Sequence, residues 1–202
     1  MKFEHEKTWE CLKTILASKL TAKDAWSQLI DFHEQIAEKP YWTALRQLDI
    51  DKEQNDMLGW LHRLVTASPV PKNVNALWVN FYQLDVTEFG LENSNSMVPF
   101  IEIVGTDQYR NEDIEWTENP IYSPCDAQPQ PPLLLEIENI IRTDPDNYEF
   151  LNWILPLAYM AFTLDEIIRK RLKKKHFLVG KDKLFVAVGY SSKDYIEISI
   201  IE

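Results

Sequence analysis

The chain has 202 residues, 45% of them hydrophobic and 26% charged, with 5 glycines, 11 prolines and 2 cysteines. That size and balance fit a globular domain burying roughly 70% of its unfolded surface, and they exclude collagen-like, Gly-rich and disulfide-framework classes. Lys and Arg number 21 against 32 Asp and Glu, a net charge of −11, so the molecule as a whole repels nucleic acid and anionic membranes and attracts basic partners.

The first third reads as three helices. Trp9, Leu12, Ile15, Leu16 and Leu20 recur at helical spacing. Thr21-Ala-Lys-Asp24 resembles a capping signal with Asp in place of Glu, and Ala22, Ala25, Trp26, Leu29, His33, Ile36 and Ala37 then form one stripe up to Pro40. Met57, Leu58, Leu61, Leu64 and Val65 make the third stripe, with Asp51 as its expected N-cap. The period then changes from 3.6 to 2. Residues 74–86 and 97–106 read as paired strands around a loop over 87–96, followed by an irregular, proline-rich region over 107–132.

Helix is expected again over 133–142, and over 148–175 with a break near 163, where Thr163-Leu-Asp-Glu166 matches a capping box. Residues 183–190 and 195–201 read as a second hairpin, with Ile196, Ile198 and Ile200 inward and Glu197 and Ser199 outward. The expected fold is α+β: N-terminal helices, two antiparallel β-hairpins forming a sheet, and further helices between them. One domain over 1–202 is expected, with a helical part over 1–70 and the sheet and remaining helices over 71–202.

The residues from Met1 to Lys7 have no apolar run behind their charges, unlike a secretory signal. The longest apolar stretch, 150–164, contains Asn152 and Pro156 and is shorter than the ~20 residues that span a bilayer, so it reads as a buried core helix. Cys11 and Cys125 stand in unlike contexts. A reduced, cytoplasmic protein with free thiols and no membrane contact is the expectation.

Chemistry-bearing motifs are few. His33-Glu-Gln-Ile-Ala37 lacks the second histidine of a zinc site. Residues 49–53 hint at a calcium loop, but Gln54 and Trp60 occupy its essential positions. No nucleophile elbow and no phosphate-binding glycine loop occurs. No catalytic residue, metal ligand or cofactor is therefore assigned. What stands out is charge. Residues 84–126 hold ten acids and one base, Arg110, with Tyr109, Trp116 and Tyr122 interleaved. Clustered negative charge speeds encounter with a cationic surface and aromatic rings supply anchors, so Tyr109, Glu112, Asp113, Glu115, Trp116, Glu118 and Tyr122 form the candidate partner-binding set. Residues 169–183 are the basic counterpart, net +7. Cations at a helix C-terminus explain them better than nucleic-acid binding, and pairing with the acidic segment, in the same or a second copy, is a further expectation.

Trp116-Thr-Glu-Asn-Pro-Ile-Tyr122, Val186-Ala-Val-Gly-Tyr190 and Asp194-Tyr-Ile-Glu-Ile198 resemble segments of small uncharacterised bacterial proteins found beside polymorphic toxins, many of which act as immunity proteins. The likeness runs from Ala76 onward. It implies a non-enzymatic cytoplasmic inhibitor of a basic toxin. Two other classes remain open: a hydrolase using carboxylates such as Asp107, Asp113 and Glu115, and a structural subunit that homo-oligomerises through its aromatic surface.

Overall fold

The computed structural model describes residues 2–85, 97–109, 114–124, 131–190 and 194–202. Six α-helices and a four-stranded sheet form among them: α1 (His5–Ala17), α2 (Ala22–Ile36), α3 (Tyr41–Arg46), α4 (Ile50–Ala67), β1 (Ala76–Asp85), β2 (Met97–Thr106), α5 (Pro132–Ile141), α6 (Tyr148–Lys170), β3 (Phe185–Gly189) and β4 (Tyr195–Glu197). Short 3-10 turns lie at Ile114–Thr117 and Lys174–His176.

Local chemistry explains the helix starts. The Thr21 hydroxyl accepts the Asp24 N–H at 3.1 Å and caps α2. Asp49, not Asp51, caps α4, accepting the Lys52 N–H at 3.2 Å; Asp51 falls inside the first turn. Four helices precede the sheet, one more than expected, because the six-residue α3 is too short to show a periodic stripe.

The expected break near 163 does not occur. α6 runs unbroken to Lys170, and Thr163-Leu-Asp-Glu166 caps other elements instead of its own helix. Glu166 Oε2 accepts the first-turn amide of α2, Ala22 N–H, at 2.6 Å and the Gln54 amide at 3.0 Å. Asp165 accepts the Ser199 N–H at 2.9 Å, along with Lys19 and Arg169. Pro156 also sits within α6. A proline there removes one N–H and strands the carbonyl four residues earlier. The Tyr190 hydroxyl occupies that position, donating to the carbonyls of Asn152 at 2.8 Å and Trp153 at 3.0 Å. By length and composition α6 is apolar enough to cross a bilayer, but 89% of its apolar window is buried inside the protein.

The sheet is mixed, which corrects the expected sheet of two antiparallel hairpins. Strand order is β2-β1-β3-β4: β1 pairs antiparallel with β2, β3 antiparallel with β4, and β1 with β3 in parallel. The reason lies in β3. Val186-Ala-Val-Gly189 is buried throughout, as a central strand covered on both faces requires, and it docks on the edge of β1 that β2 leaves open. Gly189 permits the return to β4, since a Cβ there would lie 2.4 Å from the Asp194 carbonyl oxygen.

β4 is also shorter than the expected strand over 195–201. Val188 faces Ile196, yet Leu184 bridges Ile201, so one extra residue lies between them, as in a β-bulge. Ser199, held by Asp165, sits in that bulge. The bulge shifts the alternation, so Ile201 turns inward and Ile200 is exposed. The main core lies between the sheet and the helices. β1 contributes Leu77, Val79 and Phe81 to it, β2 Ile101 and Ile103, and β3 Val186 and Val188.

Candidate functional site: the outer face of the sheet

Strand alternation sends the other set of side chains to the face away from the helices. Ala76, Trp78, Val104 and Ala187 form a second, smaller apolar cluster there together with Trp116, and Tyr109, Phe185 and Tyr195 pack around it. The Tyr109 ring stacks on Phe185 at 4.4 Å, and its hydroxyl donates to Glu197. Burial, then the Glu197 carboxylate, push the Tyr109 phenol well above its ordinary pKa. Trp116 stands edge-on to Trp78 at 5.5 Å and to Tyr109 at 5.4 Å. The residue is 4% exposed, and its indole N–H has no hydrogen-bond partner among the described residues.

The segment 114–124 wraps the edge of β2. Gly105 N–H donates to the Tyr122 carbonyl at 2.8 Å, and Ile121 N–H donates to the Gly105 carbonyl at 2.9 Å. Trp116 thus lies on the outer face, while Tyr122 joins the helix-side core and its hydroxyl donates to the Ser68 carbonyl at 2.6 Å. This strap covers part of an open strand edge, which would otherwise invite pairing with another chain.

The structure therefore brings Tyr109 and Trp116 together and places Tyr122 apart from them. Trp116 and Tyr122 are packing residues in this conformation. Glu115 and Glu118 are exposed on the strap, and Glu112 and Asp113 lie outside the described residues. Asp107 and Glu197 are also exposed and Glu102 is half-exposed. Asp107, Glu102, Glu118 and Glu197 have no cationic partner among the described residues. The sequence reading turned Glu197 outward but did not assign Trp78, Phe185 or Tyr195 to this face. The even spacing of Trp78 was a usable signal, but the partnership with residues a hundred positions later was not.

The basic strip behaves differently. Arg169 pairs with Asp165 at 2.6 Å and Lys170 with Glu166 at 2.9 Å, while Arg171 donates to Asn55 at 2.5 Å. Lys181 donates to the carbonyls of Pro71 and Val74. The described contacts of the strip thus go to α6, α4, the Leu20 carbonyl before α2, the loop before β1 and the Phe185 ring of β3, not to the acidic segment.

Buried titratable groups elsewhere are bound into the fold. Glu53 accepts the Leu133 N–H at the start of α5 and the Tyr159 hydroxyl, and burial raises its pKa. Asp144 is shared by Lys39, Tyr41 and Asn147. Glu138 receives Arg142 and Tyr148 beside an open depression of about 760 Å³ at the start of α6. Among the described residues no three His, Cys, Asp or Glu side chains are placed to hold a metal ion. Fold and site together define an α+β protein with a mixed four-stranded sheet and an aromatic outer face rimmed by carboxylates. No family model, curated protein or solved structure matches the chain.

Proposed function

We propose that the protein is a non-enzymatic, cytoplasmic binding protein that docks on a basic protein partner through the carboxylate rim of the outer sheet face, in the manner of an immunity protein inhibiting a basic toxin. One observation carries this reading: Arg169, Lys170, Arg171 and Lys181 of the basic strip are held by internal partners, whereas Asp107, Glu102, Glu118 and Glu197 have no cationic partner among the described residues. Exposed charge of one sign without counter-ions steers encounter with the opposite sign, and steering is screened by salt. The resemblance of the Trp116–Tyr122 segment to immunity-type proteins points the same way. The test is kinetic. A basic partner recovered from the native host should associate faster at low than at high ionic strength, with a much smaller change in its off-rate. Salt-independent association, or turnover of a substrate by the purified chain, would overturn the reading.

A further inference from the structure

The turn that follows α6 carries a contact whose chemistry fixes a protonation state. The amides of Arg171 and Leu172 both donate to the Ile167 carbonyl, and that of Lys174 donates to the Leu172 carbonyl. The Lys173 amide between them donates to His62 Nε2 on α4 at 3.2 Å. A backbone N–H can only donate, so Nε2 must carry its lone pair; the imidazole is neutral, with its proton on Nδ1. A protonated imidazole has no acceptor to offer.

The surroundings sharpen this. Lys173 and His176 face His62 from the turn, and the two imidazole rings lie 6.3 Å apart. Arg63 is adjacent on α4, and Arg171, at the end of α6, is held by Asn55. No carboxylate pairs with either ring among the described residues. The turn itself is pinned by Leu172 and Phe177, both buried in the core, and it leads directly into β3.

We propose that His62 is an acid-released latch: the neutral ring holds residues 173–176 against α4, and protonation of His62 frees that segment between its buried anchors, Leu172 and Phe177. Release would detach Lys173, Lys174 and Lys175 from their fixed position beside α4 while the rest of the fold persists. Burial first, then Lys173 and His176, lower the His62 pKa below its ordinary 6.5. The folded latch therefore resists protonation, its contribution is complete above pH 6.5, and it is lost progressively as pH falls from 6.5 toward the lowered folded pKa.

Hydrogen exchange at the Lys173 amide, corrected for intrinsic rate, tests this on the intact chain. Wild-type protection should fall by up to roughly tenfold per pH unit below 6.5, the slope of one linked proton. His62→Gln places an amide oxygen near the position of Nε2 and cannot titrate, so its protection should be the same at pH 7.5 and 5.5. His62→Leu should lack protection at both. An imidazole titration followed by NMR gives a second readout that needs no mutant: His62 should titrate below 6.5, and His176→Gln should raise its pKa. Wild-type protection that is flat with pH, a His62→Gln profile that slopes like wild type, or a His62 pKa at or above 6.5 would each overturn the latch.

Discussion

His33 shows how a single residue couples the core to pH. Its ring is 0% exposed; Nδ1 lies 2.9 Å from the Leu29 carbonyl and Nε2 3.4 Å from the Thr8 hydroxyl. Phe3, Phe32, Trp42 and Phe150 surround it. Neutral His33 donates from Nδ1 and accepts from Thr8, so its hydrogen bonds are met without charge. Burial drives its pKa from 6.5 down to about 4. A base with a lowered folded pKa binds its proton less readily folded than unfolded, so stability is full above 6.5 and falls as pH drops toward 4. The shift corresponds to about 3 kcal/mol across the window, of which about 2 kcal/mol is lost between pH 6.5 and 5. Denaturant titrations should show that acid limb in wild type. His33→Asn keeps a donor toward Leu29 and removes the titration, so its stability should start lower and vary less with pH. An unchanged slope in that variant would place the acid sensitivity elsewhere.

The long helix and the last strand give the clearest cases at the scale of elements. Pro156 interrupts the hydrogen-bond ladder of α6, and Tyr190, just beyond β3, supplies the missing donor. Tyr190→Phe removes the donor shared by the half-buried carbonyls of Asn152 and Trp153 and should cost about 1 kcal/mol. Pro156→Ala restores an N–H for the Asn152 carbonyl. The two changes should therefore be non-additive, Tyr190→Phe costing less in the Pro156→Ala background by about 0.5 kcal/mol or more. Strict additivity in chemical melts would show that Tyr190 does not serve the proline gap. On the last strand, Ile198 is 7% exposed and packs in the main core, and its N–H donates to the Val186 carbonyl at 3.0 Å. Ile198→Asp buries a charge with no partner and should abolish soluble folding. Ile200→Asp, on an exposed position past the bulge, should be tolerated within about 0.5 kcal/mol, although the unbroken alternation of the sequence predicts equal damage. Comparing the soluble yield and melting of these two variants checks the bulge directly.

For the whole molecule the governing quantity is the distribution of charge. Asp107, Glu115 and Glu118 are exposed and outside the core, so Asp107→Asn, Glu115→Gln and Glu118→Gln combined should leave melting within about 1 kcal/mol of wild type. If the rim steers a basic partner, the triple variant should associate more slowly at low salt and converge on wild type near 1 M, where the Debye length is about 3 Å. Equal association rates at low salt would remove the rim from the interface. Trp116→Ala is a poor probe of binding, because the ring is buried against Trp78 and Tyr109 and its loss should cost about 3 kcal/mol of stability.

How far the sequence determined this protein follows from the range of the interactions involved. Apolar periodicity placed five of the six helices, and the β-branched and aromatic runs placed all four strands, because those signals arise from neighbours within a turn or a strand. The Thr21 cap was legible for the same reason. The parallel contact between β1 and β3 was not, since nothing local tells a strand which open edge it will join. Nor was the role of Thr163-Leu-Asp-Glu166, whose carboxylates act across 144 residues on Ala22 and 34 on Ser199. The same division holds at the candidate site. Sequence located its charge in residues 84–126, but only packing decided that Trp116 would turn inward onto Trp78 while Glu115 and Glu118 stayed in water. An amphipathic segment has two faces, and which one is buried depends on the surface the rest of the chain presents to it.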